Sequence, residues 1–355
     1  MSAFQGKISF RRNLIISALA IILSLLTAAI IMLVFGYNPI EAYAAMLDGA
    51  FGNPTAFANT LSKATPLLFC GLSFAFANKA GVFNIGGEGQ LYLGALAATV
   101  VALAMQGMPK ILVVLCAFFA ALLAGGLLGV ILGVSKAKLG LSEVIVAIML
   151  NYIVTLFCSW AVNGPLKPEG SMTAQTEMIA DNYLFSKLAA NSQLSTSFIV
   201  AILFAVALYL LFKKTRQGFN TIVVGANLGA AKASGIDVNK TMLLAMTIAG
   251  GIAGIGGMME VFGVYGRFIE GFSPGYGFTG IAVSVLGANN PFGIILTSIL
   301  FGAMDAGAMK MSYSAGISAN MVNVIQGLVI VFVASPSIAL RLSQINKKKI
   351  KKEVK

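Results

Sequence analysis

The stretch Ala80–Ala95, AGVFNIGGEGQLYLGA, lies between two apolar runs and packs four glycines into nine residues, Gly81 to Gly89, around one carboxylate, Glu88. Glycine admits backbone conformations that other residues avoid. Broken helix at membrane depth is tolerated only where protein or a water-filled cavity satisfies the freed peptide groups. An acidic side chain at the bilayer centre costs about 3 kcal/mol on insertion scales. Glu88 is therefore not expected to face lipid. Either it lines a polar path, with Asn84 and Gln90 able to hydrogen-bond a neutral polar ligand, or it is a helix-start carboxylate at the interface, with Asn84 and Gln90 in capping roles.

The rest of the chain says which solvent surrounds this stretch. Of 355 residues, 58% are hydrophobic and 10% charged, against roughly 25% charged in soluble domains. With apolar runs of about 20 residues, this predicts an all-α integral membrane protein. No short alternating segments of a transmembrane barrel are present in the sequence. Cys70, Cys116 and Cys158 stand singly in apolar runs and read as small buried hydrophobes. Histidine is absent, which removes Ser-His and Cys-His nucleophile systems and histidine metal ligands. No metal, cofactor or catalytic residue is expected.

Ten spans are predicted: Leu14–Phe35, Leu61–Ala77, Gln90–Met105, Ile111–Val134, Val144–Val162, Phe198–Phe212, Met242–Val261, Phe278–Ala288, Phe292–Ala308 and Met321–Ser335. The first is longer than a cleaved signal's apolar region and is expected to be retained. With the N-terminus inside, 18 of the 24 Lys and Arg residues fall on the inner side, so both termini are expected to be cytoplasmic. The whole of 1–355 reads as one polytopic domain. Residues 1–13 form a cytoplasmic arm, 163–197 an extracellular loop, 213–240 a cytoplasmic loop and 341–355 a basic tail near anionic lipid, with no nucleic-acid partner. Within 213–240, NLGAAKASGI reads as a short helix capped by Asn227 and ended by Gly235, suited to docking a cytoplasmic partner.

Two glycine-broken stretches, FNIGGEG from Phe83 and FSPGYGF from Phe272, precede weak apolar segments that run in opposite directions. Asn151 and Gln326 sit mid-span in the fifth and tenth spans. This pattern suggests an inverted repeat whose paired broken segments mark a binding site. Phe83, Tyr92, Tyr152 and Phe278 are aromatics able to stack on a ring, although membrane aromatics mostly serve packing. Glu143 reads as a helix-start carboxylate, and Glu260 and Asp305 as interfacial. Gly125, Gly129 and Gly133, and likewise Gly250 and Gly254, recur at four-residue spacing, predicting close helix packing. No phosphate-binding loop motif is present, so energy for active transport has to enter through another chain or an ion gradient.

GLSFAFANKAGVFNIGGEGQLYLGA, LSEVIVAIMLNYI, VGANLGAAKASGID and GFTGIAVSVLGANNPFG together resemble the permease subunits of bacterial ABC importers. The likeness is to the nucleoside type, related to the ribose and branched-chain amino-acid permeases, and runs from about Ala56 to Ser335. It implies a path between two permease subunits, the second usually a related chain, in the bacterial cell membrane. It also implies a cytoplasmic ATP-binding subunit and an extracellular substrate-binding lipoprotein. It places Phe83, Asn84, Glu88, Gln90, Asn151 and Phe278 near the path. Gly225, Asn227, Ala230, Ala231, Gly235 and Ile236 match the segment seated on the ATPase. The lysine-rich C-terminus departs from the pattern. A simple sugar or branched-chain amino acid is the alternative substrate. A self-sufficient secondary transporter or channel is the alternative class, with Glu88 as its one candidate coupling group.

Overall fold

A computed structural model describes residues 10–189, 191–318 and 320–334. Most of the arm 1–13 and all of the tail 341–355 lie outside the described residues. Helices account for the described chain, with isolated β-bridges and no strand among those residues. It divides into two compact units, one of residues 1–52 and 304–355, the other of residues 53–303.

In the first unit, α1 (Phe10–Val34) packs on α13 (Asn320–Ala334). Helix α2 (Pro39–Phe51) begins at Asn38, whose side chain accepts from the Ile40 N–H, with Pro39 in the first turn. It buries Ala42, Met46 and Ala50, one helical face at four-residue spacing. The sequence reading left α2 inside a connection, because a 13-residue segment containing Glu41 and Asp48 is too short and too polar to resemble a span. Gln326 donates to Asp305 at 2.7 Å, so this mid-helix amide serves a carboxylate within the unit.

The second unit is built on α3 (Pro54–Lys79), α4 (Gly87–Ala104) and α10 (Val238–Glu260), which continues through a π-helical turn to Tyr265. Around them lie α5 (Lys110–Ala137), α6 (Glu143–Asn163), α7 (Ser197–Lys214), α8 (Arg216–Ala226), α9 (Leu228–Ala233), α11 (Tyr276–Leu286) and the first half of α12 (Pro291–Ala315). The most apolar window of α3 is 89% buried, against 28% for α6 and α7. The sequence explains this division: small residues and hydroxyls populate α3, whereas α6 and α7 carry bulky aliphatic and aromatic residues outward.

Glycine spacing sets the core distances, as expected. A Cβ on Gly125 would lie 2.3 Å from the Gly250 carbonyl oxygen, and one on Gly129 would lie 2.2 Å from that of Met246. Gly94 meets Gly254 backbone at 2.4 Å by the same measure. Backbones at this separation gain dispersion over a long contact, which drives helix association where lipid is as apolar as the side chains.

Every predicted span coincides with a helix. Among the described residues, seven helices are long and apolar enough to cross a bilayer: α3, α4, α5, α6, α7, α10 with its π turn, and α12. Helix α11 has 11 residues and is about 16 Å long, half of a hydrocarbon core of about 30 Å. The eighth apolar stretch is therefore a half-helix entered through the loop 266–275, in which Phe268 and Phe272 are buried.

Candidate functional site

The broken stretch 80–90 is held at a defined depth. Ser73 donates to the carbonyl of Ala249 at 2.7 Å and accepts from the Asn84 amide at 3.0 Å. Ala249 lies 11 residues into the 28-residue stretch Val238–Tyr265, about 16 Å along a path of about 40 Å. Helix α4 thus begins in mid-span. Its N-terminal amides need partners there, because water does not supply them.

Of the predicted site residues, Asn151 is such a partner, while Asn84 and Gln90 pair with each other beside it. Asn84 and Gln90 form a reciprocal amide pair, Asn84 Nδ2 to Gln90 Oε1 at 2.8 Å and Gln90 Nε2 to Asn84 Oδ1 at 3.2 Å. Asn151, from the middle of α6, accepts from the Gly89 N–H at 2.9 Å and donates to the Ile85 carbonyl at 2.9 Å. All three are buried. Their hydrogen-bonding groups stabilise the break in the chain, and a solute in this conformation meets few of them.

Glu88 is a helix-start carboxylate, but at mid-span rather than at the interface. It lies in the first turn of α4 with 7% exposure. Its Oε2 accepts from the Gly277 N–H at 2.6 Å, in the first turn of α11, and Ser273 also hydrogen-bonds it. Ser273 Oγ accepts from the N–H groups of Gly275 and Tyr276 as well, at 3.2 and 3.0 Å. A Cβ on Gly277 would lie 2.2 Å from the Glu88 nitrogen. Two helix N-termini, each with partial positive charge, therefore meet at one carboxylate. This offsets the cost of burying the charge. The two glycine-broken stretches singled out in the sequence are the two that meet here. Ser273 was missed, although a serine ahead of a glycine-rich helix start is a capping signal.

The aromatics divide. Tyr92 is buried against Phe272 and Phe268, with ring centroids 4.7 and 6.1 Å away. It locks the loop 266–275 onto α4 and is unavailable for stacking. Phe83 and Phe278 are about half exposed, and Tyr152 lies outward on α6.

The loop after α6 is strapped along the α10–α11 connection. Backbone bonds run from Thr176 N to Phe268 O, Ile179 N to Gly266 O, Phe185 N to Phe262 O and Glu270 N to Ala174 O, at 2.8 to 3.0 Å. Lys187 donates to the Gly263 carbonyl at 2.8 Å. Burial lowers the Lys187 pKa, while the nearby Glu260 charge opposes the shift. Glu260, at the end of α10, is 1% exposed, because this strap covers it. Glu143 does start α6, where it pairs with Lys136 at 2.7 Å.

Residues 213–240 hold two helices, α8 and α9, where the sequence predicts one. Asn227 accepts from the N–H groups of Gly229 and Ala230 at 2.9 and 3.1 Å. The helix ends in paired bonds, Ile236 N to Ala231 O and Gly235 N to Lys232 O, both 3.0 Å, with Gly235 at φ +73°. Asn227, Ala230 and Gly235 are exposed and Ile236 is half-buried. Ala231 is fully buried, and Gly225 packs against the Lys79 backbone. The last two build the loop, while Leu228 is exposed beside Asn227 and Ala230.

Comparison with known proteins completes the description. The family model described as the branched-chain amino acid transport system permease component matches residues 56–334. The nucleoside ABC transporter permease protein NupB of Lactococcus lactis is 36% identical, over 95% of this chain and 98% of that protein. The guanosine ABC transporter permease protein NupP of Bacillus subtilis is 36% identical, over 93% and 95%. The glucose ABC transporter permease protein TsgB13 of Haloferax volcanii is 31% identical, over 88% and 85%.

Proposed function

This chain belongs to the family of branched-chain amino acid transport system permease components, and from that premise we propose that it is the permease subunit of an ABC importer that moves nucleosides into the cell. Near full-length similarity to NupB and NupP carries the reading. The spans agree with it: they hold no row of acids or bases of the kind a charged solute or ion relay requires. A neutral polar solute with an aromatic ring suits exposed Phe83 and Phe278.

In this reading 1–355 is one polytopic domain of the bacterial cell membrane, with 1–13 and 341–355 cytoplasmic. The chain is a transport subunit without a catalytic residue or cofactor of its own, and a separate cytoplasmic subunit hydrolyses ATP. That subunit seats on Asn227, Leu228, Ala230 and Gly235. The strapped outer loop receives a substrate-binding lipoprotein, and a second permease subunit completes the path. A self-sufficient transporter needs an intramembrane coupling carboxylate, and the candidate Glu88 is already engaged by the Gly277 N–H. A simple-sugar substrate is the second reading, supported by similarity to TsgB13.

The test is uptake of labelled guanosine and uridine by cells with and without the chain, with excess unlabelled glucose, ribose or leucine. Loss of nucleoside uptake on deletion, indifferent to these competitors, is the expected result. Unchanged nucleoside uptake with glucose, ribose or leucine transport lost discards the nucleoside assignment.

Docking has its own test. Ala230→Trp places bulk on an exposed position and is expected to leave a folded permease whose ATP-driven uptake falls at least about tenfold, the equivalent of 1.4 kcal/mol of lost association. Ala231→Trp, at a buried position, is expected to lower the amount of folded protein instead. Normal uptake in Ala230→Trp removes α9 from the docking surface.

A further inference from the structure

The docking surface does not account for the cleft beside it. Between α8 and the first turns of α10 lies an open cleft of about 620 Å³, whose lining includes Arg216, Asn220 and Lys240. Neither Arg216 nor Lys240 is in an ion pair among the described residues. Asp237 also lines the mouth, but its Oδ1 accepts from the Lys240 N–H and caps α10. Lys213 and Lys214, at the end of α7, add positive charge close by in the chain.

The cleft has a second part. A narrow crevice of about 50 Å³ shares Gln217, Asn220, Thr241 and Leu244 with the mouth and continues to Phe76, Ala245 and Ile248. Along α10, Lys240 to Ile248 is about 12 Å. Basic side chains therefore stand at one end of a cleft whose other end is apolar and runs along a membrane-spanning helix. A soluble partner has no use for the apolar end, and a free anion none for its length. An amphiphile uses both.

We propose that this cleft binds an anionic phospholipid of the inner leaflet, its phosphate between Arg216 and Lys240 and an acyl chain along α10 past Leu244 and Ala245. The site rests on the reading that 213–240 faces the cytoplasm. It adjoins the α9–α10 turn, since Ser234, Gly235 and Ile236 line the same cleft. A bound lipid thereby braces the turn next to the proposed ATPase contact.

The test is native mass spectrometry of the detergent-purified full chain, titrated with phosphatidylglycerol and phosphatidylcholine. Wild type is expected to retain phosphatidylglycerol selectively. Arg216→Gln/Lys240→Gln removes two exposed charges and is expected to weaken that retention about thirtyfold, given the usual contribution of about 1 kcal/mol for each basic residue near a lipid surface. Leu244→Trp, which fills the crevice without changing charge, is expected to weaken it too. Lys347→Gln/Lys348→Gln, an equal charge loss in the tail, is expected to leave it intact. Size-exclusion profiles establish that each variant is folded.

Four results overturn the proposal. One is equal retention of both lipids, and another is no loss in the double variant. A third is displacement by millimolar inorganic phosphate with Leu244→Trp silent, which marks a free-anion site. The fourth is expulsion of the lipid by the ATP-binding subunit, which assigns the cleft to that partner. None of these readouts uses nucleoside uptake, so loss of the lipid site with uptake intact leaves the transport reading standing.

Discussion

Gly257→Val is expected to yield a chain that still inserts but no longer assembles a stable core. Its added Cβ would lie 2.0 Å from the Leu91 carbonyl oxygen and 2.9 Å from the Ala95 nitrogen, both α4 backbone atoms. A side chain in such a position can rotate away, whereas helix backbone cannot. Helix α10 must then move off α4, and the displacement opens its contacts with α5, where Gly250 and Gly254 meet Gly125 and Ala121 backbone at about the same spacing. Overpacking of cores costs about 1–3 kcal/mol, and more where backbone shifts; the expected loss lies at or above that upper end. Insertion is decided span by span from hydropathy, which the change slightly raises. Thermal unfolding in detergent, read by loss of the monodisperse size-exclusion peak, measures the effect. Gly327→Val is the control, because a Cβ there meets nothing within 4 Å. A Gly257→Val chain as stable as this control would show that α4 and α10 do not approach as described.

Such contacts were readable before any coordinates, since four-residue glycine spacing on an apolar helix has one common use. Helix α9 was readable too: Asn227 and Gly235 are cap residues with local chemistry, and local chemistry is what a linear pattern encodes. Helix α2 escaped because its amphipathic face is short and its ends are polar. The length of α11 was legible, Phe278–Ala288 in the sequence against Tyr276–Leu286 in the structure, with its start displaced by two residues because hydropathy marks where a segment is apolar, not where the backbone begins to coil. The sequence left Asn84 and Gln90 between a polar path and helix capping, and Asn151 beside them, for a different reason. A buried amide is equally suited to a solute and to an orphaned peptide group, and only the distances to Ile85, Gly89 and Ser73 decide between them. The burial of Glu260 was not legible because nothing in its own neighbourhood announces the strap of 174–187 that covers it.

Glu88 gives the second large effect, and its variants separate anchoring from contact with solute. In Glu88→Ala the Gly277 N–H loses its acceptor in a buried site, a change worth about 1–3 kcal/mol. The α4 and α11 N-termini also lose the anion that both favour, worth up to about 2 kcal/mol in partly buried geometry. Helix α11 is short and enters through a loop, so this junction is a large part of what fixes its start. Uptake by Glu88→Ala is expected to fall at least about tenfold, with a lower unfolding temperature. Glu88→Gln keeps an acceptor for the Gly277 N–H but loses the charge, which roughly halves such a bond; an intermediate loss is expected. The kinetic form of the defect is the deciding measurement. With Glu88 only 7% exposed and bonded across to α11, the maximal rate is expected to drop while the uptake KM stays close to wild type. A raised KM at unchanged stability would place the carboxylate in contact with the solute. Wild-type uptake in Glu88→Ala would remove the junction from the transport cycle altogether.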